Sequence, residues 1–193
     1  MANTPEVTTP DARDRDAAII DVGGWEVVRA EGGDRLAFLH RLLTATLDDL
    51  QPGHGRRTLL LTAKAQIVTE LIVCERQDGC WLLVPPGQGA AAAAALSRYA
   101  IMDDVTFTHL PDREVLAVYG RDVVAALGAA GISVPPAVAH GSAFAHAEVT
   151  ASEGGASFWL LRNPGYGSDG FWVVGESAQI KDLAARLDAQ AVS

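Results

Sequence analysis

The apolar stretch LLLTAKAQIVTELIVCE carries Lys64 and Gln66 in a turn between two β-rich runs, and Glu70 inside the second run. A carboxylate on the open face of a sheet can hold a ring N–H or act as a general base. The plain alternative is a solvent-facing glutamate beside a hairpin turn. A second candidate is RNPGYGSDGFW, Arg162 to Trp172, where glycines and a proline surround Tyr166 and Asp169. That composition suits a phosphate cradle, a ligand clamp or a simple turn. The flanking runs, Phe158–Arg162 and Phe171–Val174, read as strands. The stretch is therefore a hairpin connection, with glycines supplying the turn conformations, and not a strand-to-helix phosphate loop.

Other chemistry-bearing residues form no pattern. His140 and His146 are separated by a flexible stretch, and His40, His54 and His109 are scattered, so no metal site is expected. Ser142, Ser168 and Ser177 lack a nucleophile-elbow context. GGWE and EGGDR are turns, without the spacing of a dinucleotide fingerprint. The two cysteines flank a hairpin, ELIVCERQDGCWLLV, with Asp78-Gly79 as its tight turn. That register sets Gln77 opposite Cys80 and Cys74 opposite Leu83, with the thiols on opposite faces; a disulfide would need another register. Two reduced thiols fit a cytoplasmic protein. Trp81, Trp159 and Trp172 could each stack on a flat ligand or simply fill a sheet face.

The elements that position these residues follow from periodicity. Trp25–Arg29 reads as a short strand. Leu36, Leu39, Leu43, Leu47 and Leu50 recur at helical spacing, with Gly33-Asp34 at the start and Pro52-Gly53 at the end. Runs at Thr58–Thr62, Ile67–Cys74 and Trp81–Val84 read as strands, Gly87–Tyr99 as an alanine-rich helix, and Val105–His109 as a strand. The second half repeats this order. Val115–Tyr119 is a strand, Arg121–Ala130 a helix and Gly131–Gly141 a connection; Phe144–Thr150, Phe158–Arg162 and Phe171–Val174 are strands, and Ser177–Leu187 a terminal helix. The expectation is an α+β chain of two ferredoxin-like units, each an antiparallel sheet with helices on one face. Residues 1–20 would be a disordered lead-in, 21–110 the first unit, and 111–193 a second unit packed on it.

Composition narrows the function. The chain has 193 residues, 49% hydrophobic and 20% charged, with a formal net charge of −9. That supplies a core, and no basic stripe points to nucleic acid. The polar start MANTPEVTTPDARDRD is no signal peptide, and no apolar run reaches membrane-spanning length. A cytoplasmic location is expected.

The stretch GDRLAFLHRLLTATLDDLQPGHGRRTLLLTAKAQIVTELIV resembles the opening of the glycine-cleavage T-protein and YgfZ folate-binding superfamily, with Thr62, Lys64, Ala65 and Ile67 standing where the family has T-x-K-G-x-I. LSRYAIMDDVTF, with its Arg98-Tyr99 pair, is similar to the YgfZ branch. VLAVYGRDVVAAL resembles the L-x-L-x-G-P-x-A-x-x-L segment, Arg121 replacing the proline. The loop resembles R-x-G-Y-T-G-E-D-G-F-E, keeping Arg162, Gly165, Tyr166, Gly167, Asp169, Gly170 and Phe171. The likeness runs from about Asp21 onward. The YgfZ signature K-G-C-Y-x-G-Q-E and the C-terminal barrel of both branches do not occur, so the chain is a short member or a piece of a longer one.

The resemblance implies a folate-binding fold, tetrahydrofolate as cofactor, and ligand contacts from Lys64, Glu70, Tyr99, Arg162, Tyr166 and Asp169. T-protein members transfer a one-carbon unit from an aminomethyl carrier to tetrahydrofolate; YgfZ-type members support iron–sulfur enzymes and tRNA modification. Three departures bear on the chemistry. The family's Asp-Asp pair is here Thr69-Glu70, and Pro85-Pro86 stands where an Asn is usual. The two acids of the loop fall at Ser168 and Trp172, leaving Asp169 as a substitute for the pterin-gripping glutamate. The leading expectation is therefore a YgfZ-like folate-binding accessory protein without aminomethyl transfer. One alternative is an interaction subunit like the gamma subunit of heterotetrameric sarcosine oxidase, with a protein partner. The other is an aminomethyltransferase with Glu70 as its catalytic acid or base.

Overall fold

Alternation along the strand Ile67–Arg76 sets the architecture. Leu71 and Val73 point one way into one buried cluster, while Ile72 and Cys74 point the other way into a second. Successive strand side chains face opposite sides, so a strand apolar on both needs cover on both. Helices supply one cover and a second sheet supplies the other. The structure, a computed structural model, describes residues 18–20, 24–152, 154–165 and 169–191.

The first sheet is built from β2 (Glu26–Glu31), β3 (Gly55–Leu61), β4 (Ile67–Arg76), β5 (Gly79–Val84) and β6 (Thr106–Leu110), in the order β3-β4-β5-β2-β6. Its outer face carries α1 (Arg35–Leu42) and α2 (Gly89–Ser97), which bury Phe38, Leu39, Ala92 and Leu96 against it. The second sheet contains β1 (Ala18–Ile20), β7 (Arg113–Tyr119), β8 (His146–Thr150), β9 (Ser157–Arg162) and β10 (Gly170–Glu176), in the order β1-β7-β10-β9-β8. Helices α3 (Val123–Ala129), α4 (Pro136–Ala139) and α5 (Ser177–Ala191) cover its outer face through Leu127, Val138, Ile180 and Leu183. Between the sheets lie Val27, Ile72, Leu83, Ala117, Leu161 and Trp172. Every strand pairing in these two sheets is antiparallel. The α+β class with antiparallel sheets and helices on one face of each is thus observed.

The repeated element order becomes a repeated topology. β3-β4-β5-β2 in one sheet matches β8-β9-β10-β7 in the other. The fifth strand differs in origin: β6 follows in chain order, whereas β1 comes from the amino-terminal side and pairs Ala18–Ile20 with Tyr119–Ala117. Ala18–Ile20 was expected within the polar lead-in 1–20. Its short apolar run finds an edge on β7 that local sequence does not reveal; residues 1–17 lie outside the described residues.

Two further expectations are corrected. The first helix was expected to continue to Pro52 but ends at Leu42. Leu43 forms a bridge with Leu60, and Thr44 exchanges hydrogen bonds with Leu59 at its backbone N–H and its hydroxyl. The chain therefore leaves the helix to extend the β3 edge, and Leu47 and Leu50 are buried from a non-helical segment. Edge pairing outweighs helical periodicity here. The cysteine hairpin is also shifted: Glu75 pairs with Cys80 and Cys74 with Trp81, around a Gln77-Asp78 turn. Gly79 is drawn into the strand because only a residue without a side chain fits there, a Cβ falling 2.7 Å from the Ala30 oxygen. Trp81 and Leu83 share a face, so Cys74 and Cys80 still point apart, and both are free thiols. The Gly131–Gly141 connection contains the short helix α4.

Candidate functional site

Parity along β4 separates the two residues at the family's acid pair. Thr69 is buried toward the helices, 4% exposed, whereas Glu70 faces the side of the second sheet with a side chain 35% exposed. A carboxylate at 69 and one at 70 could not both serve the inter-sheet face. Beside Glu70, on β3, the Arg57 side chain brings Nε to 3.0 Å from Oε1 of Glu70. Its guanidinium lies 5.6 Å from the centroid of the Phe144 ring, within cation–π range.

Phe144 joins the sheets. Its N–H donates to the Arg162 carbonyl at 2.7 Å, and its backbone has φ 66, a left-handed conformation for a bulky residue. Gly55 allows the approach, since a Cβ there would sit 2.9 Å from Cβ of Phe144. Arg162 then donates through Nη2 to Oδ1 of Asp169 at 2.7 Å, while its Nε is buried with no hydrogen-bond partner. Glu70, Arg57 and Phe144 thus form a short line of side chains on the inter-sheet side. Arg162 pairs with Phe171 and shares the helix-covered face of the second sheet with Leu160, so Phe144 reaches it only through the backbone hydrogen bond. The line can bind a flat ring at Phe144 and accept N–H donors at Glu70.

Of the residues expected at a site, Glu70 lies on this line, whereas Arg162 and Asp169 pair with each other away from it, Arg162 on the helix-covered face of the second sheet. Asp169 is 64% exposed and tied to Arg162, not turned inward. Lys64 is exposed on the β3–β4 turn, where its N–H is held by the Thr62 hydroxyl. Tyr99 follows α2 on the helix-covered side, 53% exposed. Tyr166 and Ser168 lie outside the described residues. Trp172 is buried between the sheets, packs edge-on against Trp25 and donates its indole N–H to Tyr119 at 3.1 Å. Arg57 and Phe144 were missed. Strand parity signals Arg57, which shares a face with Leu59, the cross-strand partner of Glu70; nothing local signals Phe144.

A second cluster lies about 20 Å along β4 from Glu70, at ~3.3 Å per residue. Arg76 lies against both Trp81 and Trp159, its guanidinium 4.3 Å and 4.0 Å from their centroids. His146 packs tilted against Trp159. An open cavity of about 460 Å³ there is lined by Gly53, Arg76, Asp78, His146, Glu148 and Trp159 among others. Among the described residues no group of three or more His, Cys, Asp or Glu could hold a metal ion, and no helix is long and apolar enough to cross a membrane.

The fold and this edge can be set beside known proteins. The GCVT N-terminal domain family matches residues 11–191. The chain belongs to that family. Among sequence relatives, an aminomethyltransferase of Alcanivorax borkumensis is 27% identical over 183 residues, covering 93% of this chain and 48% of the relative. The tRNA-modifying protein YgfZ of Sodalis glossinidius is 29% identical over 125 residues, 63% of this chain and 38% of the relative. The chain spans less than half of either.

Solved structures agree on the fold of this GCVT N-terminal domain. The glycine cleavage system aminomethyltransferase T of Bartonella henselae superposes with a TM-score of 0.75 at 24% identity, over 92% of this chain and 46% of that one. A chain of the heterotetrameric sarcosine oxidase of Corynebacterium sp. U-96 superposes with a TM-score of 0.58 at 10% identity, over 92% of this chain and 85% of that one. Family membership is thus carried by sequence, and the two-sheet arrangement by both.

Proposed function

We propose that this GCVT N-terminal domain binds a reduced folate along the Glu70–Arg57–Phe144 line, as a YgfZ-like accessory protein without aminomethyl transfer. The observation that carries the reading is the geometry at the acid pair. One carboxylate, Glu70, faces the inter-sheet side, while Thr69 points under the helices and Trp172 fills a position where the resemblance expects an acid. The residues fit the ligand's chemistry. Glu70 would accept from the pterin's ring N–H groups and Phe144 would pack on its flat face, while Arg162 lies on the other face of β9. A bound tetrahydrofolate supplies a carrier for one-carbon units. The sequence resemblance adds Tyr166 and Asp169 to the proposed contact set. A cytoplasmic role in support of iron–sulfur enzymes or tRNA modification follows from the YgfZ-like reading.

Calorimetric and thermal-shift titration with a reduced folate tests the binding. Saturable heat and a raised melting temperature are expected; neither at millimolar ligand sinks the proposal. An aminomethyl-transfer assay separates the enzyme reading. Transfer abolished by Glu70→Gln would favour an aminomethyltransferase over an accessory protein. The superposition on 85% of a chain from a heterotetrameric oxidase favours a second reading, a docking subunit. Purification from the native host, with or without a stoichiometric partner, decides it.

A further inference from the structure

Arg57 already makes, within the protein, the interactions that a flat nitrogen-rich ligand would make. Its guanidinium is planar, rich in N–H donors and free of acceptors. It lies over the Phe144 ring, 5.6 Å from the centroid, and forms an ion pair with Glu70, Nε standing 3.0 Å from Oε1. We propose that Arg57 stands in for the planar donor edge of the ligand, so that it and Glu70 together determine which ring the site accepts and how tightly. This rests on the folate reading of the same line and names the part of the ligand that is read there.

The 2-amino-4-oxo edge of a pterin has the same chemistry as the guanidinium. A ring N–H and an exocyclic NH₂ lie side by side in one plane, next to an aromatic face. A carboxylate at Glu70 favours such an edge and repels an anionic one. A flat ring without adjacent donors would leave Glu70 with nothing to replace Arg57.

Arg57 and Arg162 differ in how easily they give way. Arg57 and Glu70 have side chains 52% and 35% exposed, and an ion pair in that setting holds weakly. Arg162 is 19% exposed and hydrogen-bonded to Asp169 at 2.7 Å. Arg57 is the displaceable one. Phe144 stays as the platform, held in its left-handed conformation by the Arg162 carbonyl and the space above Gly55.

The test measures binding of pterin, of lumazine (which carries an oxo group in place of the 2-amino group) and of a reduced folate. The proteins are the full chain and its Arg57→Met and Glu70→Gln variants, each checked for native fold by near-UV circular dichroism. Arg57→Met is expected to bind pterin about two- to fivefold more tightly, the gain from removing a weak surface ion pair. Salt should strengthen pterin binding to the parent chain, by screening Arg57 from Glu70, and leave Arg57→Met unaffected. Pterin should exceed lumazine by at least about tenfold, and Glu70→Gln should erase that preference. Equal or weaker pterin binding by Arg57→Met overturns the inference, as does equal affinity for pterin and lumazine. If reduced folate binds while pterin binds none of the proteins, the edge is not read at Glu70 and this inference falls alone. If no protein binds any of the three, the folate reading falls with it.

Discussion

The imidazole of His146 packs against the indole of Trp159 with ring centroids 4.7 Å apart and planes inclined by 45°, tying the edge strand β8 to the layer between the sheets. Nε2 of His146 lies 3.1 Å from the His54 carbonyl, which can only accept, so Nε2 carries the proton of a neutral ring. Burial pushes the imidazole down to about 4 from its ordinary 6.5. The unfolded chain therefore binds a proton that the folded chain refuses between those values, and stability is lost as pH falls from about 6.5 to about 4. The loss should be on the order of 3 kcal/mol. Urea titrations across that range should show the slope, and His146→Phe should flatten it.

Beneath α1, the Glu75 carboxylate is 3% exposed and meets Arg35 Nη2 at 2.5 Å. It also accepts from the Cys80 thiol at 2.7 Å. The hydrogen bond that Arg35 donates to Glu75 holds its guanidinium above the usual pKa. Removing one partner leaves a charge in a place built for two. Glu75→Leu is expected to destabilise by about 3 kcal/mol, and Arg35→Met combined with Glu75→Leu by less than the sum of the single changes. Denaturant midpoints at constant slope measure both.

Gly170 lies directly across from Tyr119 on β7, and a Cβ there would fall 2.1 Å from two carbons of the buried ring. Tyr119 is 1% exposed and accepts from Trp172, so it has no room to retreat. Gly170→Ala should cost about 2 to 3 kcal/mol. Adding Tyr119→Leu should recover part of that loss, measured as a positive coupling in a double-mutant cycle.

Burial pushes the Cys74 thiol up to about 12 and raises that of Cys80 as well, so neither forms thiolate at pH 8. A thiol reagent should label the native chain far more slowly than the urea-unfolded chain, and mass spectrometry should then find two modified cysteines. Rapid native labelling of Cys74 would contradict the closed inter-sheet layer.

Phe144 is the position at which strain and recognition coincide. With φ 66 it adopts a backbone that glycine tolerates and a bulky side chain resists. Phe144→Gly should cost little stability, because relief of strain offsets lost packing, yet weaken reduced-folate binding at least tenfold. Melting temperature and calorimetry, measured on the same sample, separate the two effects.

Much of this protein is legible locally. Alternation and turn residues mark β3, β4, β9 and β10, and the repeated element order anticipates the repeated sheet topology. Glu70 stands out in the sequence because a carboxylate within an apolar strand must reach water or a partner. Side-chain period and turn chemistry act over a few residues, so a sequence displays them directly. Contacts between distant strands carry no such local mark. The pairing of β1 with β7, the early end of α1 at the β3 edge and the meeting of Arg76 with two tryptophans depend on which faces meet. So does the contact of Arg57 with Phe144. The sequence determined that a carboxylate would sit on a sheet beside Arg57, through the β3–β4 register; only packing of the two sheets decided that Phe144 would join them. That outcome comes from strand parity and sheet stacking, which bring β3 and β4 against the segment leading into β8.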